Sequence, residues 1–290
     1  MSADVLQELL KTHVANLSYV RQPDANPAGL DRARDYIWGR MVESGCYMVD
    51  QSWSTGKFVF HNVVGEKAAG FNDPPTLILM AHYDTVEKSP GADDNASGVA
   101  VMLEASRLIG ASGIPVRVFF SAISMKETWQ GIALRGSESY LASIRSRGIP
   151  VTAAICLDSV GASGQMKQST PEGLPEPLPP KGDFLAIVGC EGSKPLLDSF
   201  SAVCKAAVPS LSTAPLVLAG RGESAPEGLR GDQTTFWARG YPALLLTDTG
   251  ASRYQNYHAV GDLPDRLNYA FMADVCKAIV AYAASLSDKT

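Results

Sequence analysis

Apolar and polar positions along this chain repeat in two registers. Leu6, Leu9, Leu10, Val14 and Leu17 recur at helical spacing, and Leu30, Ala33, Tyr36, Ile37 and Met41 repeat it from Ala28 to about Ser44, where Gly45 supplies a stop. Two β-rich runs, Tyr47 to Trp53 and Lys57 to Val64, flank Ser54-Thr55-Gly56 and predict a hairpin. Short apolar runs at 76–81, 116–124, 151–157, 184–188, 214–218 and 243–246 then read as strands. Helical patterns at 96–108, 138–146, 194–207, 234–239 and 268–286 fall between and after them. Strands alternating with helices predict an α/β fold whose sheet is covered on both faces. With no internal repeat and no second boundary, 1–290 reads as a single domain with a Pro/Gly-rich surface loop at about 161–182.

At 290 residues the chain can bury a full α/β core, and 46% hydrophobic with 19% charged residues is ordinary for a globular protein. A net charge of -5 without a basic stripe argues against nucleic acid and anionic membranes as partners. Five cysteines, Cys46, Cys156, Cys190, Cys204 and Cys276, lack metal-type spacing and read as buried thiols of a reducing compartment. The N-terminus lacks the basic segment and apolar core of a signal peptide, and no apolar run reads as long enough to span a bilayer. The expectation is a cytoplasmic protein whose partner is a small molecule or short peptide.

Chemistry concentrates where strands end. Ala81-His82-Tyr83-Asp84-Thr85 closes the run Thr76 to Met80, and Gly91-Ala92-Asp93-Asp94-Asn95-Ala96-Ser97-Gly98 follows it. Loops at the carboxyl ends of parallel strands converge on a crevice, so His82 and these carboxylates are candidate ligands for zinc or a similar divalent ion. A carboxylate two residues after an imidazole can accept its second ring N–H, and a later carboxylate can bridge two ions. Glu127, Asp158 and His258 supply further ligand-type groups after later strands or near the C-terminus. His13, on the first helix, and His61, inside an apolar strand, read as structural.

Five segments carry a family resemblance from about Leu17 to the C-terminus. They are Ala81-His82-Tyr83-Asp84-Thr85-Val86, Ser89 to Gly98, Leu157-Asp158-Ser159-Val160-Gly161, Phe236 to Ala243, and Tyr257-His258 with Asp262 and Asp265 after it. The chain resembles the co-catalytic zinc aminopeptidases, metallopeptidase family twenty-eight, relatives of which include leucyl aminopeptidases and glutaminyl cyclases. The resemblance implies a three-layer α/β/α sandwich on a mixed, mostly parallel sheet, of the zinc-exopeptidase kind. It also implies one or two zinc ions: His82, Asp94 and Asp158 for one, Asp94, Glu127 and His258 for the other, with Asp94 as bridge and Asp84 orienting His82.

This chain departs from the pattern at Lys126-Glu127, where active relatives carry two adjacent glutamates, the first the general base and the second a ligand. Unit charges about 4 Å apart interact by about 4 kcal/mol at an effective dielectric near 20, so an ammonium facing the ions is costly. Lys126 can turn away, lose its proton and act as the base, or pair with an anionic substrate or favour a single occupied metal position. Gly231-Asp232-Gln233 replaces the usual Ser-Asp-His, and the segment from Leu218 to Arg230 lacks the tyrosine that serves the oxyanion in some relatives. Arg221 or Arg230 is the substitute there, and Trp129, Gln233 and Tyr254 are further candidates for substrate contact.

Two readings follow. One is a metal-dependent amide or peptide hydrolase with Lys126 and Asp84 in its catalytic machinery and a small acid-bearing substrate. The other is a pseudopeptidase or binding protein, or a cyclase or acyl-transfer relative using the same centre.

Overall fold

The computed structural model describes residues 3–69, 74–164, 166–174, 176–223, 225–226 and 229–287. Helices α1 (Ala3–Leu17) and α2 (Pro27–Glu43) precede strands β1 (Tyr47–Thr55) and β2 (Phe58–Lys67). There follow β3 (Thr76–His82), α3 (Gly98–Ser112), β4 (Arg117–Ile123), α4 (Arg135–Ser146), β5 (Ala153–Leu157) and β6 (Leu185–Cys190). Helix α5 (Lys194–Ala207), β7 (Thr213–Leu218), α6 (Gln233–Ala238), β8 (Ala243–Thr247) and α7 (Tyr269–Ser287) complete the order.

One eight-stranded sheet runs β1-β2-β4-β3-β5-β8-β6-β7. Its centre, β4, β3, β5 and β8, is parallel, while the hairpin β1-β2 and the β6-β8 pairing are antiparallel, giving the expected mixed sheet. Period-2 alternation divides the core. Leu77, Leu79 and Ala81 of β3 face the layer that contains α1, α3, α5 and α7, whereas Ile78 and Met80 face the layer with α4 and α6. Every residue of β3 and β5 is buried, which is why both read as unbroken apolar runs.

Two expectations change. Helix α3 begins at Gly98 rather than Ala96, because Asp94 (φ -106°, ψ 89°) and Asn95 leave helical geometry to form a wider turn. Helix α7 is long and apolar enough to cross a membrane, contrary to the sequence expectation, but 56% of that apolar stretch is buried and it packs against α1, α3 and α5. The 161–182 stretch contains no helix or strand among its described residues and is tied down at a few points. Gly182 N donates to Met166 O at 2.8 Å, Lys167 bridges Lys181, and Leu178 is buried; Gln165 and Pro175 lie outside the described residues.

His13 is structural, as expected: its ring lies 2.8 Å from Tyr36 Oη and 3.1 Å from Glu104 Oε1, tying α1 to α2 and α3. All five cysteines are free and four are buried.

Candidate metal centre

Because β4, β3, β5 and β8 are parallel neighbours, their carboxyl ends reach one edge together: His82 pairs with Ile123, Ala81 with Leu157, and Leu157 with Leu246. His82 therefore closes β3 beside Glu127 after β4 and Asp158 after β5. Asp94 arrives from the turn before α3, and His258 from the loop after β8. The turn carrying Asp94 admits no side chain at two places. A Cβ on Gly91 (φ +64°) would lie 2.5 Å from Asp94 O, and one on Gly98 would lie 2.9 Å from Leu157 O. Asp262 accepts the N–H groups of Asp93 (2.8 Å) and Asp94 (3.2 Å), and Asn95 Nδ2 donates to Leu157 O at 2.8 Å.

All five sequence-predicted ligands meet. His82 Nε2 lies 3.0 Å from Asp94 Oδ1 and 3.6 Å from Asp158 Oδ1; His258 Nε2 lies 2.9 Å from Asp94 Oδ2 and 3.6 Å from Glu127 Oε1. Ligand atoms of His82, Asp94 and Glu127 lie within 4.8 Å of one another. His82 Nε2 and both Asp94 carboxylate oxygens are buried without a formed hydrogen bond. Lone pairs of two acceptor types aimed at one small space are what a cation satisfies, and imidazole with carboxylate is a donor set that suits zinc. The residues present thus fit a divalent ion.

The electrostatics agree. Burial and Lys126 both oppose a charged His82, yet Asp158, Asp84 and Asp94 hold its imidazolium well above the ordinary range. His258, likewise opposed by burial, is raised to about 9 by Asp94 and Glu127.

Lys126 does not turn away. Its side chain is 9% exposed, and Nζ lies 2.8 Å from Glu127 Oε1 and 3.1 Å from Asp158 Oδ2. Burial disfavours the ammonium, but Asp158, Glu127 and Asp94 outweigh it and keep the amine's pKa well above the ordinary value. Glu127, pushed up by burial, is pulled down to about 2 chiefly by Lys126.

Asp84 has two sets of contacts. Its carboxylate is 3.6 Å from His82 Nδ1, and the backbone carbonyl of Asp84 is the nearer partner at 3.2 Å. The carboxylate also accepts Lys126 N–H at 3.1 Å and Glu127 N–H at 2.9 Å, one oxygen each, so it shapes the turn that presents both side chains. Asp84→Asn offers only one acceptor there and should weaken zinc affinity by about 10–100-fold, readable by competition with a chromogenic chelator.

A cavity of about 550 Å³ opens on the cluster, lined by Lys126, Glu127, Asp158, Tyr257, His258 and Arg230 among others. Three of the expected substrate contacts lie elsewhere. Trp129 packs edge-on against Phe58 and Phe60 at 4.9 and 5.5 Å, its Nε1 donating to Asp24 at 2.8 Å, because its loop turns the indole into the core. Arg221 donates to Ala238 O on the exposed surface, and Tyr254 faces a separate cavity with Lys167, Arg253 and Arg266. Gln233 is buried behind the centre, donating to Leu229 O at 2.8 Å, with Gly231 between it and Asp158.

Sequence reasoning missed two residues. Tyr257 lines the cavity, its ring stacked 3.9 Å from that of His258, and burial followed by the charge of Asp94 keeps its phenol protonated. Arg21, fully buried, donates to the carbonyls of Leu17, Tyr19, Tyr83, Pro90 and Gly91 and so ties the loops flanking His82 and Asp94. Met125 (φ +60°), Ser159 (φ +56°) and His258 (φ +58°) all take left-handed backbone, with strain gathered at the centre.

Asp232, buried with neither oxygen in a formed hydrogen bond, is pushed up to about 6 by burial. Its folded pKa exceeds the unfolded value of 3.8, so its contribution to stability is complete below 3.8 and lost as pH rises through about 6. Asp232→Asn should therefore stabilise the metal-stripped protein at pH 8 by up to about 3 kcal/mol, and by roughly half that at pH 5, in urea melts.

Residues 62–283 match Peptidase family M28. The chain is 30% identical over 273 residues to uncharacterized protein YfbL of Escherichia coli K12, covering 88% of this chain and 80% of that protein. It is 26% identical to a probable zinc metalloprotease of Pyrenophora tritici-repentis, covering 91% of this chain and 62% of the fungal protein. In fold it is similar to the glutaminyl cyclase of Fimbriiglobus ruber, with a TM-score of 0.72 at 18% identity over 96% of this chain and 94% of the other.

Proposed function

Since the chain belongs to peptidase family M28, we propose that it is a zinc-dependent hydrolase of amide or peptide bonds whose substrates are small and carry an acid group near the scissile bond. The observation that carries the acid preference is the pair of cationic side chains on one small cavity: the Lys126 ammonium, buried at the ligand cluster, and the Arg230 guanidinium. A divalent ion held by these ligands supplies Lewis acidity toward a carbonyl oxygen and toward water. Lys126 Nζ, held between Glu127 Oε1 and Asp158 Oδ2 on the cavity wall, is placed to meet a substrate carboxylate or a developing oxyanion. The Tyr257 phenol is a second donor at the same cavity. Tyr257→Phe should lower kcat by about 10²-fold, with zinc content unchanged by elemental analysis. Five free thiols support a reducing, cytoplasmic place of work.

The test is turnover of zinc-loaded protein on N-acyl amino acids, acidic dipeptides, neutral aminoacyl amides and peptides with N-terminal glutamine. Fastest turnover on acid-bearing amides, abolished by chelation, is the expected result. Preference for neutral aminoacyl amides overturns the substrate class, cyclised product overturns hydrolysis, and no turnover at all favours a binding protein.

A further inference from the structure

Resting on the metal-hydrolase reading above, we propose that this protein holds one divalent ion, bound by His82, Asp94 and Asp158, with the Lys126 ammonium standing in for the second. Charge is the first argument. Asp94, Glu127 and Asp158 bring three ligand carboxylates to the cluster, while the Asp84 carboxylate, 3.6 Å from the far nitrogen of His82, is matched by two backbone N–H groups. One ammonium and one divalent ion neutralise the three. A second divalent ion would leave two positive charges in surplus where Lys126 has little access to water, and uncompensated charge is most expensive in such a place. A glutamate at position 126 would reverse the count: four carboxylates balance two divalent ions.

The contacts of Lys126 select the position that keeps its ion, within a cluster where the ligand atoms of His82, Asp94 and Glu127 lie within 4.8 Å of one another. Glu127 Oε1, the oxygen that lies 3.6 Å from His258 Nε2, is the same oxygen that Lys126 Nζ bonds at 2.8 Å. The ammonium therefore competes directly for the ligand set of Asp94, Glu127 and His258. At Asp158 the two oxygens are divided. Lys126 takes Oδ2 at 3.1 Å, while Oδ1 faces His82 Nε2 at 3.6 Å and stays available. Asp94 Oδ1, 3.0 Å from the same His82 nitrogen, completes the set, and it and His82 Nε2 are buried without a hydrogen bond. The abandoned set includes His258, whose side chain is 36% exposed, whereas His82 is fully buried. Glu127 is then a carboxylate on the cavity wall, oriented by Lys126 and free to exchange a proton with substrate or water.

The experiment is zinc stoichiometry by mass spectrometry and calorimetry on the stripped and reloaded 290-residue chain, with far-UV circular dichroism to confirm folding. Wild type should hold one zinc per chain. Glu127→Gln should still hold one, Asp158→Asn should bind it at least about 100-fold more weakly, and Lys126→Met should hold two. Lys126→Gln serves the same purpose if the methionine variant does not fold. Two ions in wild type, or one in both Lys126 variants, overturns the stand-in role of the ammonium. Loss of the ion in Glu127→Gln overturns the ligand assignment. Failure of every folded form to bind zinc rejects the metal reading itself, and the inference with it.

Discussion

Asp94→Asn is expected to strip the protein of its ion and to lower turnover by roughly three orders of magnitude, the equivalent of several kcal/mol of Lewis-acid stabilisation. No other side chain is placed to be missed so widely. Asp94 Oδ1 faces His82 and Oδ2 faces His258, at 3.0 and 2.9 Å, and the residue is 3% exposed. An amide keeps one oxygen and turns an NH₂ toward the other imidazole, where a donor meets the space an ion needs. In the metal-free protein, Lys126, His258 and His82 hold the Asp94 carboxylate well below the usual range despite its burial. The variant should therefore also melt earlier without zinc, because removing one partner leaves buried cations uncompensated. Zinc content, turnover and melts in chelator are the three readouts. A folded Asp94→Asn protein with full zinc and full turnover would move the centre elsewhere.

The parts of the molecule that were legible beforehand are those in which one residue's surroundings repeat along the chain. Strands β3, β5 and β8 announce themselves because both faces are covered, and α1 because one stripe is buried. The five ligand positions were legible for a related reason: each lies at or after a strand end, or in a motif bound to one, and parallel neighbours end together. Direction within loops is another matter. Trp129, Arg221 and Tyr254 sit in irregular segments, where no period tells which way a side chain points, and all three face away from the cavity at the ligand cluster. Arg21 was illegible because its partners are backbone carbonyls, most of them more than sixty residues away, and any residue supplies those. Lys126 was singled out beforehand, but its consequence depended on which oxygens it meets.

That consequence yields the sharpest gain-of-function expectation. Lys126→Glu should raise hydrolysis of neutral aminoacyl amides by roughly 10²–10⁴-fold, the range that a positioned general base contributes. The substitution has two separable effects. It removes the ammonium from Glu127 Oε1 and Asp158 Oδ2, freeing both oxygens for the cluster, and it brings the charge to that at which two divalent ions are balanced. It also deletes one of the two cations on the cavity, so acid-bearing substrates should lose ground as neutral ones gain, with KM rising for the former. Lys126→Met separates these effects: it frees the oxygens without supplying a base. It should gain zinc but little neutral-substrate turnover, whereas Lys126→Glu gains both. Equal rates in the two variants would mean that the carboxylate takes no proton, and a fall in all turnover on Lys126→Glu would make the ammonium itself indispensable to the chemistry.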